Sequence, residues 1–266
     1  MLIITTIILG LIQGLTEFIP VSSSGHLIIG QTLLGVGSDH LFLEFINFGT
    51  LVALLVFFRK RIVNILVDIF KNRNYRLARN IIITSIPAGI IGLLSAKYIE
   101  SHDFFNSLIT VTVSLAIVGT LMILAEKLPK ASPVKDGEHL SKSRALIIGL
   151  AQTVALVPGV SRSGATILSA RFLGLKPAEA AEYSFLASIP VMLGVTAKTF
   201  VSDHAYLNAH LGTLALSNLV AFISGMIAIG FLMKYLQKHS LAIFGWYRVV
   251  LAAVLAVVLL VQYILN

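Results

Sequence analysis

The stretch Val160-Ser161-Arg162-Ser163-Gly164-Ala165-Thr166 places one guanidinium and three hydroxyls inside a chain that is otherwise almost continuously apolar. A shift of 139 residues lays it over Val21-Ser22-Ser23-Ser24-Gly25-His26. The register continues upstream, where Gly10-Leu11-Ile12-Gln13 lies over Gly149-Leu150-Ala151-Gln152, and downstream, where Leu34-Gly35 lies over Leu173-Gly174. A gapless match over roughly 25 positions indicates two copies of one structural unit.

The surroundings of both copies say what kind of unit it is. Of the 266 residues, 57% are hydrophobic and 12% charged, where a soluble domain carries about 25% charge. The chain therefore reads as an all-α, multi-pass membrane protein. Residues 1–12 lack a basic n-region and a small-residue cleavage site, so no cleavable signal is expected. The absence of cysteine excludes disulfides, thiolate catalysis and Cys-ligated metals. A formal charge of +8 would suit nucleic acid, but the basic residues sit in short segments between apolar runs. That pattern sets membrane orientation, and no nucleic-acid partner is expected.

Residues 1–35 and 145–174 each hold two apolar pieces around the Ser/Gly break, and the pieces are too short for clean crossings of about 20 residues. Each is read as a re-entrant hairpin, its irregular backbone buried in protein. Full spans are expected at 41–58, 81–99 and 105–125, and again at 183–200, 211–233 and 246–265. Arg59 to Arg79 holds seven Lys/Arg and one acid, and the linker 127–144 is also basic, so both are assigned to the cytoplasm. Repeat one then runs over 1–126 and repeat two over 145–266. With three spans per copy, the copies are inverted, the first hairpin entering from outside and the second from inside. Inverted folds of this plan hold their site near the midplane.

The polar residues at that depth are the candidate chemistry. Arg162 calls for an anion, and its planar fork suits phosphate or carboxylate. A pair with Glu17 and a bound ligand are compatible readings. Ser22, Ser24 and Gly25, and Ser161, Ser163 and Gly164, are patterned as caps whose helix N–H groups face an anion. Two such helix starts and one arginine favour a multiply charged ligand such as a diphosphate. Gln13 and Glu17 lie four apart on one face. Glu17, Ser23 and His26 could form a nucleophile with its base, or Glu17 and Gln13 could hold Mg²⁺ or Ca²⁺.

These residues resemble the bacitracin-resistance family of undecaprenyl-diphosphate phosphatases. Its acidic motif Glu/Gln-x-x-x-Glu is matched by Gln13 to Glu17, and its motif Pro-Gly-x-Ser-Arg-Ser-x-x-Thr by Pro158 to Thr166 at every fixed position. Pro20 to His26 is similar to the family's serine–histidine segment. The resemblance implies hydrolysis of undecaprenyl diphosphate to the monophosphate carrier, which is reused in cell-wall synthesis, in the bacterial plasma membrane. It also implies a divalent cation, a site opening to the extracytoplasmic side, and Glu17, Ser23, His26, Ser161, Arg162, Ser163 and Thr166 as the functional set. Gln13 departs from the glutamate of other members. Ser23 is the preferred nucleophile, with His26 or Glu17 as base, and direct water attack competes. A polyprenyl-phosphate flippase or small-anion transporter is the alternative class. Membrane lipids are expected neighbours, and a homodimer is left open.

Overall fold

A computed structural model describes residues 2–37, 39–127 and 131–265. The first hairpin is α1 (Ile3–Phe18) and α2 (Ser23–Leu33), followed by α3 (His40–Phe57), α4 (Arg59–Phe70), α5 (Arg76–Ser101) and α6 (Leu108–Ala125). The second is α7 (Lys142–Val154) and α8 (Arg162–Phe172), followed by α9 (Pro177–Ser202), α10 (His204–Ala209), α11 (Leu211–Tyr235) and α12 (Ala242–Leu265). Helices α3, α5, α6, α9, α11 and α12 are each long and apolar enough to cross a membrane. These are the six spans that the apolar runs predict.

Two differences from that prediction have local causes. The basic segment 59–79 opens with a helix, α4, because Ile62, Ile65, Leu66 and Ile69 recur at helical spacing between the charges. No residue of α4 is buried; Val63, Leu66, Val67 and Phe70 are exposed beside Arg59, Lys60 and Lys71. The fourth span starts six residues earlier than expected because Pro177, which lacks an N–H to lose, occupies the first helical turn.

Lipid gives apolar helices no hydrophobic reason to associate, so close packing must hold them together. The small residues Gly10 and Gly14 of α1 lie on α11 against Ser217, Ala221 and Ser224. A Cβ at Gly14 would meet the Ser224 hydroxyl and the Ala221 carbonyl, so only glycine lets these backbones approach. Helices α6 and α12 do the same, Gly119 and Gly245 each facing the other's carbonyl. The partner elements alternate between the copies: α1 packs on α11, whereas α7 packs on α5; α3 and α9 meet each other, as do α6 and α12.

The two basic segments come together. Asn74 donates to Glu138 Oε1 at 2.8 Å, and buried Asn80 donates to the carbonyls of Gly137 and Leu140 at 2.9 Å each. Arg61 pairs with Glu182 at 2.9 Å and ties α4 to the start of α9.

Candidate active site

The serines 139 positions apart fold alike. Ser22 and Ser161 cap α2 and α8, accepting from the N–H of Gly25 at 3.3 Å and of Gly164 at 3.1 Å. Both sit at positive φ, +78° and +74°, where a residue with a Cβ is strained. Ser22 Oγ lies 3.2 Å from Ser24 Oγ, and Ser161 Oγ 3.1 Å from Ser163 Oγ. Each hairpin tip therefore presents a helix start with its first N–H groups pre-organised.

Glu17, at the end of α1, is where the tips meet. Its Oε1 accepts from Arg162 Nη2 at 2.6 Å, and its Oε2 from Ser23 Oγ at 2.6 Å and from Gln13 Nε2 at 3.1 Å. Ser163 Oγ reaches the Glu17 carbonyl at 3.3 Å. The ion pair is largely buried, with 17% and 11% of the two side chains exposed. Arg162 Nη1 is buried without a partner. One carboxylate thus binds a guanidinium from one copy and a hydroxyl from the other.

His26 belongs to a different contact. Its Nδ1 lies 2.7 Å from the Ser22 carbonyl, which can only accept, so Nδ1 carries the proton in the neutral ring. Its Nε2 is then the acceptor for the Tyr247 hydroxyl at 2.7 Å. The hydroxyl of Ser23 therefore bonds to Glu17, not to His26. Thr166 is fully buried behind the tip, bonded to the Arg162 carbonyl and to Ser184.

Several contributors do not stand out in the sequence. Asn47 Oδ1 accepts from Gln13 at 2.7 Å, and Thr50 lies 3.4 Å from the same nitrogen. Asn47 and Thr50 are polar residues three apart in an apolar span, and that spacing was the available signal. Tyr247 and Arg248 stand at the start of the last span, where polar residues read as interfacial.

A cavity of about 630 Å³ opens beside the cluster. Gln13, Ser23, Ser24 and Asn47 line its polar part, and Ile82, Ile86, Leu93, Val191 and Val195 its apolar walls on α5 and α9. His40, Glu44 and Lys198 also line it, with Glu44 held by the Thr199 hydroxyl at 2.7 Å. From His40 to Asn47 is roughly 10 Å along α3 at 1.5 Å per residue, so the cavity leads from the start of α3 inward to the cluster.

The arrangement of a hydroxyl on a carboxylate, an arginine and two helix starts suits phosphoryl chemistry. Comparison with known proteins agrees: residues 6–254 match the model of the bacitracin resistance protein BacA. The chain belongs to the BacA family. Among its relatives, undecaprenyl-diphosphatase 1 of Clostridioides difficile is 38% identical over 262 residues, covering 95% of this chain and 94% of that protein. The undecaprenyl-diphosphatase of Neisseria gonorrhoeae is 35% identical over 262 residues, 97% and 95% of the two chains. Undecaprenyl-diphosphatase 2 of Paramagnetospirillum magneticum is 34% identical over 259 residues, 96% and 98%.

Proposed function

We propose that this BacA-family chain hydrolyses undecaprenyl diphosphate to undecaprenyl phosphate and inorganic phosphate, with Ser23 as nucleophile and Glu17 as its base. The observation that carries the mechanism is the Ser23 hydroxyl donating to Glu17 at 2.6 Å while Arg162 holds the other carboxylate oxygen. Family membership and the relatives' shared activity supply the substrate, and bacitracin resistance follows from the family.

The diphosphate enters the tips with its terminal phosphoryl group against Ser23, and its charge draws the Arg162 fork onto two phosphate oxygens. Glu17 takes the proton of Ser23 as Oγ forms a bond to the terminal phosphorus and the bond to the bridging oxygen breaks. Undecaprenyl phosphate leaves as an anion. Water then attacks the phosphoserine, Glu17 returns its proton to Oγ, and the water's proton leaves with inorganic phosphate. Arg162 and the N–H groups at the starts of α2 and α8 stabilise charge on the equatorial oxygens throughout.

The donor set permits a divalent cation in one way. Among the described residues no three His, Cys, Asp or Glu cluster, and Gln13 turns its amide N–H toward Glu17. Mg²⁺ is commonly held by one or two carboxylates together with substrate phosphates, and here Glu17 with the diphosphate oxygens would be the ligands that hold it. Bound there, the ion would neutralise charge on the diphosphate.

The cavity walls suit the prenyl chain, and its route from the start of α3 supports admission from that side. With the basic segments cytoplasmic, that side is extracytoplasmic. The exchanged partners, α1 on α11 and α7 on α5, support a repeat of two halves, which three spans in each half would invert in the plasma membrane. Phosphate release from undecaprenyl diphosphate by the purified protein in detergent, with and without chelator, tests the reading. Release is expected, and its absence at every cation concentration would sink the proposal.

A further inference from the structure

Arg248 lies in the first turns of α12 and is 0% exposed, the largest fully buried side chain among the described residues. Its Nη2 donates to the carbonyls of Gly159 at 3.0 Å and Val160 at 2.7 Å, while Nε and Nη1 are buried without a partner. No acidic side chain pairs with it among the described residues. A guanidinium at this depth is costly to keep, and packing alone would be served by methionine. The two carbonyls that it holds belong to the turn feeding Ser161 and Arg162.

That turn needs holding. Gly159 has φ +88° and Ser161 φ +74°, two left-handed residues within three. At membrane depth water is not there to fix the carbonyls of such a turn, and those of Gly159 and Val160 accept from Arg248 instead. The neighbouring residue Tyr247 bonds His26 of the first tip. Successive helical residues project about 100° apart at 3.6 per turn, so one stretch of α12 reaches both tips.

We infer that Arg248 is a positioning residue for the reaction proposed above: it clasps the Gly159–Val160 turn so that Arg162 faces Glu17 and the phosphoryl group. The inference rests on that reading for its kinetics but not for its geometry. A clasp needs N–H donors and no planar fork, so lysine should serve at position 248 and fail at position 162.

Two measurements on the full-length protein in detergent test this. With undecaprenyl diphosphate as substrate, Arg248→Met should lower kcat at least tenfold while KM stays within threefold. Arg248→Lys should return kcat to within threefold of the parent. Separately, spin labels on cysteines replacing Leu15 and Leu156 should give one narrow distance distribution, broadened by Arg248→Met and restored by Arg248→Lys. This second measurement needs no substrate, so it stands if the activity reading fails. A kcat within threefold for a folded Met variant would overturn the inference. So would a tenfold rise in KM that lysine does not correct, since Arg248 would then touch the substrate itself. If the Met variant does not survive purification, the Lys variant decides: preserved kcat and distances support the clasp, and a tenfold loss of kcat overturns it.

Discussion

At the scale of single residues the site turns on one carboxylate with three donors. Removing the Ser23 hydroxyl leaves both helix starts and Arg162 in place, so Ser23→Ala should keep substrate binding while kcat falls by about 10³ or more. Phosphate release in single-turnover experiments checks this, and a loss of only a few-fold would instead support direct attack by water. Glu17→Gln removes the proposed base and the charged partner of Arg162 together. Its kcat should fall by at least ~10², and substantial turnover would move the base to another group. Gln13→Glu brings a second carboxylate to a position now 3.1 Å from Glu17. Activity should survive, with half-maximal turnover reached at lower Mg²⁺ because two acids bind the ion better than one. An unchanged cation titration would place the ion out of reach of position 13. The serines, Arg162 and Glu17 were legible in the sequence because polar groups stand out in an apolar chain. The direction of the His26 ring was not, because it depends on Tyr247, 221 residues away.

Among elements, the contacts between helices matter more than the helices themselves. Apolar runs betrayed all six spans, since bilayer thickness imposes a length that a sequence must display. Which helix packs on which was hidden, because Gly10 and Gly14 look the same in sequence whatever they face. In the structure they face α11, and Gly14→Val would drive a side chain into Ser224 and Ala221. Overpacking of this kind costs about 1–3 kcal/mol, so Gly14→Val should lower the detergent unfolding midpoint. Gly35→Ala, at an open turn where a Cβ meets nothing within 4 Å, should lower it less despite its positive φ. Equal midpoints for the two variants would mean that α1 and α11 can part at no cost. Helix α4 is hidden in the sequence for a physical reason: seven basic residues over 59–79 mask the helical spacing of the apolar residues between them.

For the whole molecule, sidedness decides from which leaflet a lipid reaches the site. The contact of Asn74 and Asn80 with the linker puts the two basic segments against each other, and one membrane face must therefore hold both. The native chain has no cysteine, so single cysteines report position without background. Cysteine at Lys71 or Asp136 should react with an impermeant thiol reagent only after the membrane is opened, and cysteine at His102 or Asn208 in intact spheroplasts. Labelling of Lys71 and His102 from the same side would mean that α5 does not cross, and the inverted arrangement would fail with it.

The 139-residue shift that matches the two serine caps also lays Ser23 on Arg162 and Glu17 on Leu156. Hydroxyl and cation thus occupy one and the same place in the two halves, and the carboxylate occurs in only one of them. An ancestor assembled from identical halves could have carried two serines there or two arginines, never one of each. Such a molecule could bind an anion between its caps but had no hydroxyl–carboxylate–guanidinium line along which to cut one. The matching caps keep the symmetry of the two halves, and the line from Ser23 through Glu17 to Arg162 is where that symmetry breaks.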